Sequence, residues 1–138
     1  PDMTEPLKEK KIKVVLCEPG KVARVAEIGT ELSDLQRVVG GLIEPYYPFE
    51  EQVCIVCNEE SKINGMRPNR SVKNDDGVMV DFIFGPAFIC NCRGENLDSL
   101  SDEQIDRYGK MFRYPEHLAR VNGTLFGIPY RPQPEQER

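Results

Sequence analysis

Leu32-Ser33-Asp34-Leu35-Gln36-Arg37-Val38-Val39-Gly40-Gly41-Leu42-Ile43-Glu44, followed at once by Tyr46-Tyr47-Pro48-Phe49, is the stretch that decides the fold. Leu32, Leu35, Val38 and Val39 recur at the spacing that puts them on one stripe of a helix. Thr30 or Ser33 can cap its start, and Gly40 supplies the left-handed exit that residues with a Cβ avoid. Leu42 to Tyr47 then reads as a strand that delivers aromatic side chains to the loop Pro48-Phe49-Glu50-Glu51. Val53 to Cys57 is its hairpin partner.

Upstream, Lys11 to Cys17 is β-branched and apolar, and Pro19-Gly20 marks a turn. Val22 to Ile28 alternates, with Val22, Arg24, Ala26 and Ile28 on one face and Ala23, Val25 and Glu27 on the other, so a first β hairpin is expected. Downstream, residues 61–73 are polar and carry Gly65 and Pro68, which predicts an irregular loop. Asn74-Asp75-Asp76-Gly77 reads as a turn, Val78 to Phe84 as a strand, and Ala87 to Cys92 as another extended segment after Gly85-Pro86. Ser101-Asp102-Glu103-Gln104 is a capping box, and Ile105, Tyr108, Met111 and Phe112 form the apolar stripe of a helix ending near Phe112. That helix should cover one face of the sheet. The expected class is α+β: a small antiparallel or mixed sheet of about five to six strands with two packed helices. In domain terms, residues 1–11 are expected to form a disordered tail, 12–114 a single domain, 115–130 a docked extension and 131–138 a second disordered tail.

Composition narrows the function. With 18 basic and 23 acidic residues the net charge is −5, which repels the phosphate backbone that dominates general nucleic-acid affinity. A local patch would be needed, and the one at Arg67, Asn69, Arg70 and Lys73 is followed directly by Asp75 and Asp76; nucleic acid is therefore not an expected partner. The apolar runs are far shorter than the roughly 20 residues of a bilayer span, so no membrane partner is expected. The polar segment from Pro1 to Lys11 lacks the apolar core of a secretory signal, which predicts a cytoplasmic location.

Five cysteines, an odd number, argue for free thiols. Cys54-Ile55-Val56-Cys57 and Cys90-Asn91-Cys92 invite a zinc reading. On a strand, however, residues three apart point to opposite faces, so Cys54 and Cys57 cannot clasp one ion, and Cys90 with Cys92 is only half a site. A CxxC redox couple fails because such motifs open a helix and this one precedes Asn58-Glu59-Glu60. Buried, apolar-like cysteines are the expectation, with no metal and no cofactor.

Catalytic constellations are equally sparse. The single histidine, His117, sits beside Glu116 with no accompanying nucleophile signature and reads as a surface residue. Asp75 and Asp76 precede Gly77 and read as a turn, while Gly40-Gly41 follows a helix and so cannot cradle phosphate at a helix start. No enzyme is expected. The remaining site candidates are ligand-binding: Arg67, Asn69 and Arg70, whose guanidinium forks and amide suit phosphate or carboxylate, and Tyr47 and Phe49, with Tyr46, whose rings could stack on a base.

Several segments also carry a resemblance. Val14-Val15-Leu16-Cys17-Glu18-Pro19-Gly20-Lys21, the LxxLQxxVGGxIE pattern from Leu32 to Glu44, Tyr47-Pro48-Phe49, Cys57-Asn58-Glu59-Glu60, Asn69-Arg70, Asp75-Asp76-Gly77 and LSDEQIDRYGKMF, in that order, are similar to a family of short proteins of unknown function borne by phages, plasmids and conjugative elements. The match spans about residues 12–113. It implies a role in mobile-element biology beside antirestriction genes, without an activity attached to the fold. The expected function is therefore a non-enzymatic, counter-defence binding protein that sequesters a nucleotide-derived immune signal, with Arg67, Asn69 and Arg70 on phosphates and Tyr47 or Phe49 on a base. The alternative is an inhibitor that binds a host defence or restriction enzyme. A homo-oligomer, with a pocket between protomers employing the C-terminal extension, is compatible with the first.

Overall fold

The computed structural model describes residues 10–133, so of the expected tails at 1–11 and 131–138, residues 1–9 and 134–138 lie outside the described residues. Strand β1 (Lys11–Cys17) pairs antiparallel with β2 (Arg24–Gly29), from Lys11↔Gly29 to Leu16↔Arg24, which is the first expected hairpin. Helix α1 (Leu32–Val39) follows and stops at Gly40, whose φ of 80° is the left-handed exit read from the sequence. Next, β3 (Ile43–Tyr46) and β4 (Val53–Asn58) pair antiparallel as the second expected hairpin. Strand β7 (Ala87–Arg93) inserts between the two hairpins, giving the order β2-β1-β7-β4-β3, and the short β8 (Asn96–Asp98) pairs with the end of β7. The result is a six-stranded antiparallel sheet with β3, which contains Pro45, at one edge.

Period-two alternation explains why both faces of this sheet are apolar. Ile12, Val14, Leu16, Cys54, Val56, Phe88, Cys90 and Cys92 point to one face and pack against Leu35 and Val39 of α1. Val15, Cys17, Val53, Ile55, Ala87 and Ile89 point to the other, where α2 (Asp102–Met111) lays Tyr108 beside Leu100 and Phe112. Each fully buried Val, Leu, Ile or Phe contributes roughly 1.5–3 kcal/mol, so the two helices cover the faces for a direct energetic reason. The capping box of α2 is formed: Gln104 N donates to Ser101 Oγ at 3.2 Å, and Ser101 N donates to Gln104 Oε1 at 2.8 Å. The start of α1 differs from expectation. Glu31 is its N-cap without a side-chain bond, Ser33 lies inside the helix, and Thr30 Oγ1 donates instead to the Lys10 carbonyl.

Residues 61–73 are not the expected loop throughout. Pro68–Lys73 is strand β5, paired with β6 (Met79–Phe84) in a second, two-stranded sheet, with register shifts at Pro68/Arg70 and Val72/Lys73. Pro68 opens the strand, a position where a missing N–H is tolerated. Asn74-Asp75-Asp76-Gly77 forms the expected turn: Asn74 Oδ1 accepts from Asp76 N and Val78 N, and Gly77 takes φ 78°. The extension at 115–130 is a hairpin, β9 (Glu116–Val121) and β10 (Thr124–Pro129), turning at Asn122 and Gly123, both with positive φ. It docks through Glu116, whose Oε1 accepts from Ser71 Oγ at 2.6 Å and Ser71 N at 3.0 Å.

Candidate functional site

A cleft of about 450 Å³ opens on the α1 face of the main sheet, between α1, β3 and the turn joining β7 to β8. Its walls are apolar, from Leu35, Ile43, Pro45, Val56 and Leu97, and its rim is polar, from Lys10, Thr30, Glu95 and Asn96. Tyr47 stands at the mouth with 58% of its surface exposed. Strand alternation places it there: Tyr46 turns toward the α2 face and packs into that core, so Tyr47 turns the other way. On its far side Tyr47 also lines a smaller cleft of about 330 Å³ with Phe49, Glu50, Glu51, Gln52, Cys92 and Gly94. The Tyr47 ring is thus a partition between two concavities. Desolvation, then the nearby Cys54, Cys92 and Cys90 thiols, raise its phenol above the ordinary tyrosine range, which keeps it a neutral hydrogen-bonding group and an uncharged stacking face.

The other residues expected to bind ligand are placed differently. Asn69 and Arg70 lie in β5, not in a loop, and both are fully buried. Arg70 Nε donates to the Phe112 carbonyl at 2.6 Å; Nη1 donates to the Glu18 carbonyl at 3.1 Å and to Asn69 Oδ1 at 2.5 Å; Nη2 donates to the Lys21 carbonyl at 2.5 Å and the Arg113 carbonyl at 3.3 Å. A guanidinium has five N–H donors, and all five are engaged. Asn69 Nδ2 in turn donates to the carbonyls of Cys17 and Gly85, both at 2.9 Å. The pair therefore ties the C-terminal end of α2 to the β1–β2 turn, where a cation also meets the negative end of the helix dipole. With every donor committed internally, Arg70 has none left for a phosphate. Arg67 is exposed and its guanidinium lies against Gly20, which belongs to that same turn. Phe49 packs into the α2-side core, 5.3 Å from the Tyr108 ring and edge-on to Phe112 at 6.5 Å. Tyr47 and Phe49 share the smaller cleft, but no described cleft joins either ring to Arg67 or Arg70.

A second polar network fixes the loop that carries Phe49. Glu51 accepts from Gln104 Nε2 at 2.6 Å, Arg107 Nη1 at 2.8 Å and Tyr108 Oη at 2.6 Å, so its carboxylate bolts the β3–β4 loop onto α2. The Arg107 hydrogen bond, with that of Tyr108, holds the Glu51 carboxyl down at about 2. Cys54 and Cys57 point to opposite faces while Cys90 and Cys92 share one, as strand geometry requires. Burial pushes the Cys17, Cys57 and Cys92 thiols up to about 11 and raises Cys54 further still, its hydrogen bond with Cys90 being the first cause. No group of three or more His, Cys, Asp or Glu able to hold a metal ion occurs among the described residues. His117 is exposed on β9 and stacks on Tyr130 at 4.0 Å. No helix among the described residues is long and apolar enough to cross a membrane.

An antiparallel sheet clad by one helix on each face, with a side cleft under a single tyrosine, defines a small α+β domain with a concave ligand-sized site. Residues 12–113 match the family model for the domain of unknown function DUF3846, and the chain belongs to that family. No curated protein and no solved structure matches it.

Proposed function

We propose that this protein is a non-enzymatic binding module and that the cleft beside Tyr47 is its binding site. The observation that carries the reading is the exposed Tyr47 ring over an apolar cleft of about 450 Å³, within the roughly 300–1,000 Å³ range of small-molecule sites. Among the described residues its rim offers one cation, Lys10, which also sits 3.7 Å from Asp98. That favours a planar ligand of low charge, such as a nucleotide-derived molecule with its base on Tyr47 and a phosphate near Lys10, over a polyphosphate. The resemblance to phage- and plasmid-borne proteins supports a counter-defence setting in the host cytoplasm, where holding an immune signal intact suffices. The alternative, an inhibitor that grips a host defence enzyme, draws on the exposed Val121, Phe126 and Ile128 of the β9–β10 arm.

A panel of cyclic and linear nucleotides separates these readings. A ligand at 100 times its dissociation constant adds about 2.7 kcal/mol to stability, and heat release should return it unaltered. Tyr47→Ala should abolish that stabilisation and Arg67→Ala should leave it intact. Equal stabilisation of the Tyr47→Ala variant and the parent would remove the cleft as the site, and recovery of altered ligand would make the protein an enzyme.

A further inference from the structure

Cys54 and Cys90 are register partners on the adjacent antiparallel strands β4 and β7, and their sulfurs lie 3.7 Å apart. Directly opposed Cα atoms in such a pair sit about 4.5–5.5 Å apart, inside the roughly 4.4–6.8 Å span that a disulfide bridges. Both sulfurs are shut off from solvent, at 0% exposure for each residue. Cys92 is two residues along β7 on the same face, diagonal to Cys54, and among the described clefts it lines the smaller one beside Tyr47, where neither Cys54 nor Cys90 does. Cys92 keeps 7% of its surface exposed where Cys54 and Cys90 keep none, and a nearly covered thiol bordering a cleft, next to a buried pair already in contact, has the layout of an entry point and a destination.

We propose that Cys92, Cys54 and Cys90 form a thiol–disulfide exchange relay, entered from the cleft beside Tyr47 and ending in a Cys54–Cys90 disulfide across the centre of the main sheet. The oxidant is a low-molecular-weight disulfide, RSSR. The Cys92 thiolate attacks one sulfur of RSSR, forming a mixed disulfide and releasing one RSH. Cys54 attacks Cys92 Sγ, forms a Cys54–Cys92 disulfide and releases the second RSH. Cys90 then attacks Cys54 Sγ, and Cys92 leaves as a thiol. In sum, Cys54 and Cys90 lose two hydrogens and two electrons, RSSR is reduced to two RSH, and Cys92 is regenerated. The relay is independent of what the larger cleft binds. Cys17, buried in the opposite core, and Cys57, packed against that core from the same side, have no part in it.

The test incubates the whole chain with oxidised glutathione in mildly alkaline buffer, since burial pushes the Cys92 thiol up to about 11. Timed samples are alkylated and mapped by mass spectrometry. The expected sequence is a transient glutathione adduct on Cys92, then a bridged Cys54–Cys90 peptide pair with Cys92 free to alkylate. Cys92→Ser should slow bridge formation at least about tenfold, because oxidant must then reach a sulfur without a cleft. Cys17→Ser and Cys57→Ser should leave the rate within about twofold of the parent. A lasting adduct on Cys92 with Cys54 and Cys90 still alkylatable overturns the proposal, as does bridge formation at the parental rate without Cys92. Should circular dichroism show Cys92→Ser unfolded, the transient adduct in the parent decides alone: its absence before the bridge overturns the relay.

Discussion

Arg70→Met removes a buried guanidinium and leaves its five acceptors short of a donor. Two of these bonds are fully enclosed, to the Phe112 carbonyl and to Asn69 Oδ1, and three are partly buried. A buried acceptor stripped of its partner costs about 1–3 kcal/mol, whereas one that water can reach costs well under 1 kcal/mol. Relief of the guanidinium's own desolvation and the burial of a methionine side chain offset part of the loss. The net expectation is about 3–5 kcal/mol of destabilisation, a large share of the roughly 5–15 kcal/mol that holds a domain folded. Urea denaturation followed by circular dichroism, with the slope unchanged and the midpoint lowered, is the assay. Arg70→Lys keeps the charge but supplies three donors from one point, so it should recover only part of the loss. A phosphate-gripping arginine would behave oppositely, sparing stability and abolishing ligand binding. A loss below about 1 kcal/mol for Arg70→Met would refute the view of this residue as an internal tie.

Three further outcomes follow from the geometry. The Glu51 carboxyl is depressed from 4.5 to about 2 in the folded chain, so its stabilisation is complete above pH 4.5 and lost as pH falls toward 2. Discounted for its partial exposure, this amounts to about 1–2 kcal/mol, so urea unfolding should show Glu51→Gln weaker than the parent by that amount at pH 7 and equal to it near pH 2. Gly40→Ala forces a side chain onto φ 80° and should cost about 1 kcal/mol in thermal or urea unfolding; no measurable cost would mean the helix ends otherwise. At Gly127 an added Cβ would collide with Glu116 Oε1, so Gly127→Ala should break the Glu116–Ser71 contact and expose the β9–β10 arm to limited proteolysis; an arm as resistant as the parent's would show that Glu116 does not dock it.

Most of the sheet was readable because alternation and turn chemistry agree locally. The two hairpins, the glycine exit of α1 and the Ser101–Gln104 box each rest on contacts between near neighbours in sequence. Strand β5 is hard to read because three of its four buried residues, Asn69, Arg70 and Ser71 beside Val72, are polar types that a hydrophobic pattern scores as solvent-facing; their partners, among them the carbonyls of Cys17, Glu18 and Phe112, lie far away in the chain. The same long-range bonding is why the candidate site was half legible. Tyr47 was found from its ring alone, while the cleft it borders needs Leu35, Val56 and Leu97 from three separate elements. The β9–β10 hairpin carries a local signal of its own, the Asn122-Gly123 dipeptide that favours a tight two-residue turn.

Pro45 has a consequence for how these molecules behave in company. An outermost strand ordinarily presents a ladder of free amide donors, an invitation to any extended chain drifting by. Here one rung is missing, because proline has no N–H, so a visiting strand cannot zip along that flank without leaving a carbonyl unanswered. The opposite flank, β2, answers the same hazard with Arg24 and Glu27. Crowded solutions of this protein are thereby steered away from joining sheet edge to sheet edge.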